Sequence, residues 1–148
     1  MRLLVVALLL LVSACSSSPP PPPAPCTVDN GALPTWARSG FTPPDQAVPH
    51  VVGASGDIVG VLFGQPLTVP PRAQANNKIL WVSRVDTQGD PLKIHASLDG
   101  AAVDREVAGG PGPSTIDLPQ VGCWTLSLSW SGHHDQVTVR YYPREAGP

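Results

Sequence analysis

Gly122-Cys123-Trp124-Thr125-Leu126-Ser127-Leu128-Ser129-Trp130-Ser131-Gly132-His133-His134-Asp135-Gln136-Val137-Thr138-Val139-Arg140-Tyr141-Tyr142 carries the clearest β pattern in this chain. Trp124, Leu126, Leu128 and Trp130 alternate with Cys123, Thr125, Ser127 and Ser129. Beyond the Ser131-Gly132-His133-His134 turn, Val137, Val139 and Tyr141 alternate with Gln136, Thr138, Arg140 and Tyr142. Successive side chains of a strand point to opposite faces, so each apolar set lies on one face. Two matched period-2 runs about a turn make a hairpin, and its apolar face must enter a core.

Upstream, the same signals repeat between prolines and glycines. Leu92, Ile94, Ala96 and Leu98 alternate with Lys93, His95 and Ser97, as in a half-buried antiparallel strand. Asp99-Gly100 then marks a tight turn, and Ala102–Val107 reads as an edge strand before the glycine-rich loop 108–113. Lys78–Arg84 has an apolar centre and charged ends, the pattern of a central strand. Asp57–Phe63 is apolar on both faces, with Gly60 marking a bulge or a close approach of backbone. Leu67–Val69 is a short strand stopped by Pro70-Pro71. Leu33–Phe41 holds one helical turn, with Trp36 and Phe41 packed on a sheet, and 41–49 is an irregular connection. Seven to nine short strands with frequent turns predict an all-β antiparallel β-sandwich over 26–148.

The N-terminus has another character. Arg2 precedes an unbroken apolar run, Leu3–Val12, which suits a signal peptide and is shorter than the roughly 20 residues a membrane-spanning helix needs. Val12-Ser13-Ala14-Cys15 resembles the lipobox of bacterial lipoproteins. That resemblance implies a signal peptide over 1–14, acylation of Cys15, and attachment to the extracytoplasmic face of the cell membrane. Ser16–Pro25, with five consecutive prolines, reads as a semi-rigid tether reaching roughly 30 Å at about 3.1 Å per residue. With Cys15 given to lipid, Cys26 and Cys123 remain of the three cysteines, an even pair in an oxidising compartment. A disulfide is the expectation and two buried thiols the alternative. The parity of Cys123 places such a bond on the outer side or edge of the hairpin sheet.

Two further resemblances concern the folded part. Leu118-Pro119-Gln120-Val121-Gly122-Cys123-Trp124-Thr125-Leu126 resembles the L-P-x-x-G-x-Y-x-L entry into a late strand of immunoglobulin-like modules, with Trp124 in the tyrosine-corner position. The indole can donate a hydrogen bond there but not accept one. Leu33-Pro34-x-Trp36-Ala37, Pro49-His50-Val51, Ser55-Gly56-Asp57-Ile58-Val59, Asn76-Asn77-Lys78-Ile79-Leu80-Trp81-Val82 and Gly122-Cys123-Trp124 resemble small lipoproteins of high-GC Gram-positive, actinobacterial-type bacteria. This likeness implies architecture and location, and no activity.

Composition and motifs narrow the chemistry. The formal net charge is −2, and no basic cluster supports binding to nucleic acid. Gly53-Ala54-Ser55-Gly56-Asp57 falls short of a nucleophile elbow at its fifth residue and leads into a strand, where an elbow leads into a helix. It reads as a turn, with Asp57 bonding local N–H groups. His50 is expected to be half-buried, and His95 exposed on the polar face of its strand. His133 and His134 sit at the turn, where adjacent residues diverge and a third ligand such as Asp135 is required for a metal. No catalytic residues, metal or cofactor are expected. Trp130, at a strand end, either fills the core or is exposed; in the exposed case Trp130 with His133 and His134 is the candidate recognition patch. The leading functional reading is a non-catalytic binding or envelope-assembly module whose partners are membrane lipid, through Cys15, and an unidentified envelope protein or small ligand. The alternative is a small-ligand or metal binder that delivers cargo to a transporter. Converging Asp, His and Ser residues in one deep cleft would instead indicate an enzyme.

Overall fold

The computed structural model describes residues 25–74 and 76–145. The expected signal peptide over 1–14, Cys15 and all of the expected tether except Pro25 lie outside them. Nine strands form in chain order: β1 (His50–Val52), β2 (Ile58–Leu62), β3 (Leu67–Val69), β4 (Lys78–Ser83), β5 (Leu92–Leu98), β6 (Ala101–Val107), β7 (Pro113–Thr115), β8 (Gly122–Trp130) and β9 (His133–Pro143). A 3₁₀ turn, Thr35–Ala37, precedes them, inside the expected helical stretch. One sheet has the order β1-β2-β4-β7 and the other β3-β9-β8-β5-β6.

The fold is an all-β sandwich with immunoglobulin-like connectivity. Strands β4 and β7 pair in one sheet, as strands B and E do, while β9-β8-β5 stand in the G-F-C places of the other. One feature departs from the expected antiparallel arrangement. β3 pairs parallel with β9, Leu67 opposite Tyr141, so the five-stranded sheet is mixed. A three-residue strand between prolines carries too little pattern to declare its partner or direction.

Period 2 becomes burial. Trp124, Leu126, Leu128 and Trp130 of β8, Val137, Val139 and Tyr141 of β9, and Leu92, Ile94 and Ala96 of β5 pack against Val51, Ile58, Leu62, Ile79 and Trp81 of the facing sheet. Gly60 lies opposite Trp81 in an unbroken ladder, and a Cβ there would come within 2.9 Å of the indole. It marks a close approach and not a bulge. A second cluster explains why β2 is apolar on both sides. Leu33, Ala37, Trp36, Phe41 and Val48 cover Val59, Val61, Leu80 and Val82 on the outer face of the four-stranded sheet. The segment 33–48 is thus a third layer, which leaves the outer face of the five-stranded sheet bare except where Pro25 and Cys26 cross it.

The turns are short because they are built from residues that adopt positive φ. Asp99 and Gly100 (φ 46° and 83°) join β5 to β6, and Ser131 and Gly132 (φ 44° and 78°) join β8 to β9. Both fit the type I′ geometry that follows strand twist. Trp124 makes a corner of its own: its Nε1 donates to Gln120 O at 2.9 Å, four residues upstream. The indole thereby serves as the tyrosine hydroxyl does in immunoglobulin domains. Tyr141 is buried, and its hydroxyl donates to Ile116 O. Burial first, and then the Asp117 carboxylate, push this phenol above its ordinary range, with Arg105 opposing. A raised folded-state pKa adds stability that is complete below the unfolded value and lost as pH rises past it. Unfolding free energy is therefore expected to fall above about pH 10, and Tyr141→Phe should flatten that fall in urea titrations across pH.

The tip joining β1 to β2 is held from the other sheet. The Asp135 carboxylate accepts hydrogen bonds from Ser55 N (2.9 Å), Asp57 N (3.1 Å) and Gln136 N (2.8 Å). Asp57 does not bond local N–H groups as expected; it pairs with Arg84 at 2.6 Å. Gly53 is required here, since a Cβ would lie 2.1 Å from Asp135 Oδ2. Asp135→Ala, which strips an ionised acceptor from backbone donors, is expected to cost about 2–3 kcal/mol in chemical denaturation.

Candidate functional site

The bare face is ruled by cross-strand register. One rung aligns Asp104 (β6), His95 (β5), Ser127 (β8) and Gln136 (β9). The next aligns Glu106, Lys93, Ser129 and His134. All eight have the outward parity, while Leu126, Leu128, Ile94 and Val137 point into the core. The middle strand, β8, carries only small hydroxyl side chains on its outward side here. Longer side chains stand on β5 and β9, and the difference in length leaves a trough along β8. Its cavity measures about 540 Å³ and is lined by Lys93, His95, Ser127, Ser129 and His134, and on the β6 side by Asp104 and Glu106.

The disulfide sets one end of the trough. Cys26 and Cys123 are joined, with their Cα atoms 5.7 Å apart. Thr138 Oγ1 donates to Pro25 O at 3.1 Å, so the N-terminal segment crosses the outer side of β8 and β9, as the parity of Cys123 required. The segment then reaches the far sheet, where Asp29 and His50 exchange backbone hydrogen bonds of 2.9 and 2.8 Å. At the hairpin end a smaller depression lined by Asp90, Pro91, Lys93, Ser129 and His134 continues the trough.

The sequence-derived patch is not assembled. Trp130 is 2% exposed, and its Nε1 crosses the core to donate to Ser83 Oγ at 3.1 Å. The turn is the dipeptide Ser131-Gly132, so His133 and His134 already belong to β9. They therefore point to opposite sides: His133 tilts against Trp130, ring centroids 5.9 Å apart, and only His134 joins the trough. Asp135, the possible third metal ligand, is spent on the β1–β2 tip. Among the described residues, no three His, Cys, Asp or Glu side chains cluster as a metal set. His50 is more deeply placed than expected, 1% exposed, with Nδ1 2.8 Å from Val48 O.

Asp104, His95 and Ser127 do converge, on the first rung. His95 Nδ1 lies 2.7 Å from Asp104 Oδ1. The residue types are those of an acid–base–nucleophile series, but no hydrogen bond joins His95 to Ser127. The His95 and Asp104 side chains are 56% and 84% exposed, so water screens the pair. Electrostatic catalysis draws on a water-excluded site, which an open sheet face does not provide. The rung offers a carboxylate, an imidazole, a hydroxyl and an amide in a row, a surface for hydrogen bonding. No family model, curated protein or solved structure matches this chain.

Proposed function

We propose that this protein is a lipid-anchored extracytoplasmic binding module without catalysis. In this reading Cys15 carries the lipid, residues 16–25 form the tether, and the domain presents the outer face of its five-stranded sheet to a component of the cell envelope. One observation carries the choice of face. Residues 33–48 seal the outer side of the four-stranded sheet, whereas the opposite face is bare and troughed. No helix of the described residues is long and apolar enough to cross a membrane. In this reading attachment is made by the acylated cysteine, where a diacylglyceryl group supplies the two chains that stable anchoring takes.

Two experiments test this reading. Labelled palmitate is expected in the wild-type chain and absent from the Cys15→Ala variant, which should leave the membrane fraction; label retained by the variant refutes the anchor. A photo-crosslinking residue at Ser127 is expected to capture a discrete envelope component in intact cells, while one at Trp36 on the sealed side captures none. Equal capture from both positions refutes the choice of face.

A further inference from the structure

We propose that the trough along β8 binds a neutral polysaccharide chain lying parallel to the strand. The inference rests on the reading of the bare face as the binding surface, and names its ligand. The floor is Ser127 and Ser129; one wall is Lys93 and His95, the other His134. Walls two strand spacings apart leave a channel about 10 Å wide, enough for one extended chain. Pro25 and the Cys26–Cys123 bond close one end, and the hairpin depression opens the other.

Chemistry selects the occupant. Lys93 stands among the outward carboxylates of Asp104 and Glu106, a lining of mixed sign that favours neither a polyanion nor a polycation. The lining mixes groups that donate, accept, or do both, which is what a row of sugar hydroxyls can satisfy. A peptide would find less. Peptide recognition uses a free sheet edge for the backbone or apolar pockets for side chains, and a polar sheet face supplies neither. The long edge beside the trough is guarded instead: Arg105 Nη1 donates to Asp104 O at 2.9 Å, and Asp104 and Glu106 flank it with charge. The contact between His95 and Asp104 holds one imidazole in place beside the channel, which lowers the ordering cost of binding.

The test uses the full-length chain, labelled for amide NMR and titrated with linear hexamers of neutral β-linked glucose, galactose and N-acetylglucosamine, alongside poly-glutamate and poly-lysine. At least one neutral hexamer is expected to move the signals of His95, Ser127, Ser129 and His134 while leaving those of Trp36 and Val48 in place. Ser127→Tyr, which fills the floor, is expected to weaken binding about tenfold or more with an unchanged thermal transition. Ser127→Ala, which folds without added bulk, should weaken it by a smaller factor. The inference is overturned if no neutral hexamer moves the trough signals, if a charged polypeptide moves them instead, or if Ser127→Tyr binds as the wild type does. A discrete protein captured at Ser127 in cells, without any response to hexamers, would leave the binding face standing and remove the polysaccharide.

Discussion

A chain carrying Cys26→Ser and Cys123→Ser is expected to lose about 4–5 kcal/mol of unfolding free energy, with a fall of about 15–20 °C in Tm. The two cysteines are 97 residues apart, and a cross-link of about that span removes the corresponding loop-closure entropy from the unfolded chain. The folded state loses something too. Pro25–Asp29 is held on the sandwich by the disulfide, the Thr138 hydrogen bond and the Asp29–His50 bridge. Without the covalent tie, only the Thr138 hydrogen bond and the Asp29–His50 bridge of these three remain on this segment, so it should open locally before the sheets separate. Amide exchange at Asp29 should then accelerate, while Leu126 and Val139, in the centre of the five-stranded sheet, keep protection set by global unfolding. A loss under about 1 kcal/mol in urea would show that the unfolded chain is already confined by residual structure.

The parts of this fold that were legible in the sequence are those fixed by neighbours in the chain. β5, β8 and β9 announce themselves because alternation is local, and Asp99-Gly100 marks the turn between β5 and β6; the turn between β8 and β9 is legible too, but it is Ser131-Gly132 alone, two residues shorter than it reads in the sequence. The disulfide followed from counting once Cys15 was set aside. What stayed hidden depends on register between distant segments. β1 and β7 are three residues each, and β7 begins at Pro113, the end of a stretch that reads as loop. The trough is the clearest case. Ser127 and Ser129 look like the solvated side of any strand, and become a floor only because β5 and β9, rather than short-chained neighbours, pair on either side. The pairing of His95 with Asp104 was within reach: Asp99-Gly100 as a two-residue hairpin turn places those two residues directly opposite each other. Trp130 misled because a strand end beside glycine resembles an exposed site. Its inward parity puts it in the core, where Ser83 on the other sheet accepts its N–H.

Asn77→Ala is expected to cost about 3–5 kcal/mol, through a site the sequence did not mark. Asn77 is wholly buried between the sheets, just before β4. Its Oδ1 accepts from Thr68 N at 2.8 Å, and its Nδ2 donates to Thr68 O at 2.9 Å and Asp117 Oδ1 at 2.8 Å. The amide thus acts as one unit of strand ladder, tying β3 of the five-stranded sheet to the entrance of β4 in the other. Alanine strands a buried N–H and a buried C=O on Thr68, each an unmet polar group costing about 1–3 kcal/mol. Asn77→Asp keeps the size but sets an acceptor against Thr68 O and Asp117, so at neutral pH it should be no better than alanine, and should recover in part when acid protonates it. The consequence reaches the sheet edge. β3 is three residues long and meets β9 only from Leu67 opposite Tyr141 to Val69 opposite Pro143, so without Asn77 it should detach and bare the C-terminal end of β9. Denaturation in urea reads the energy, and light scattering of the folded variant reads the edge. A variant within about 1 kcal/mol of the wild type, and still monodisperse, would mean that water replaces the amide between the sheets.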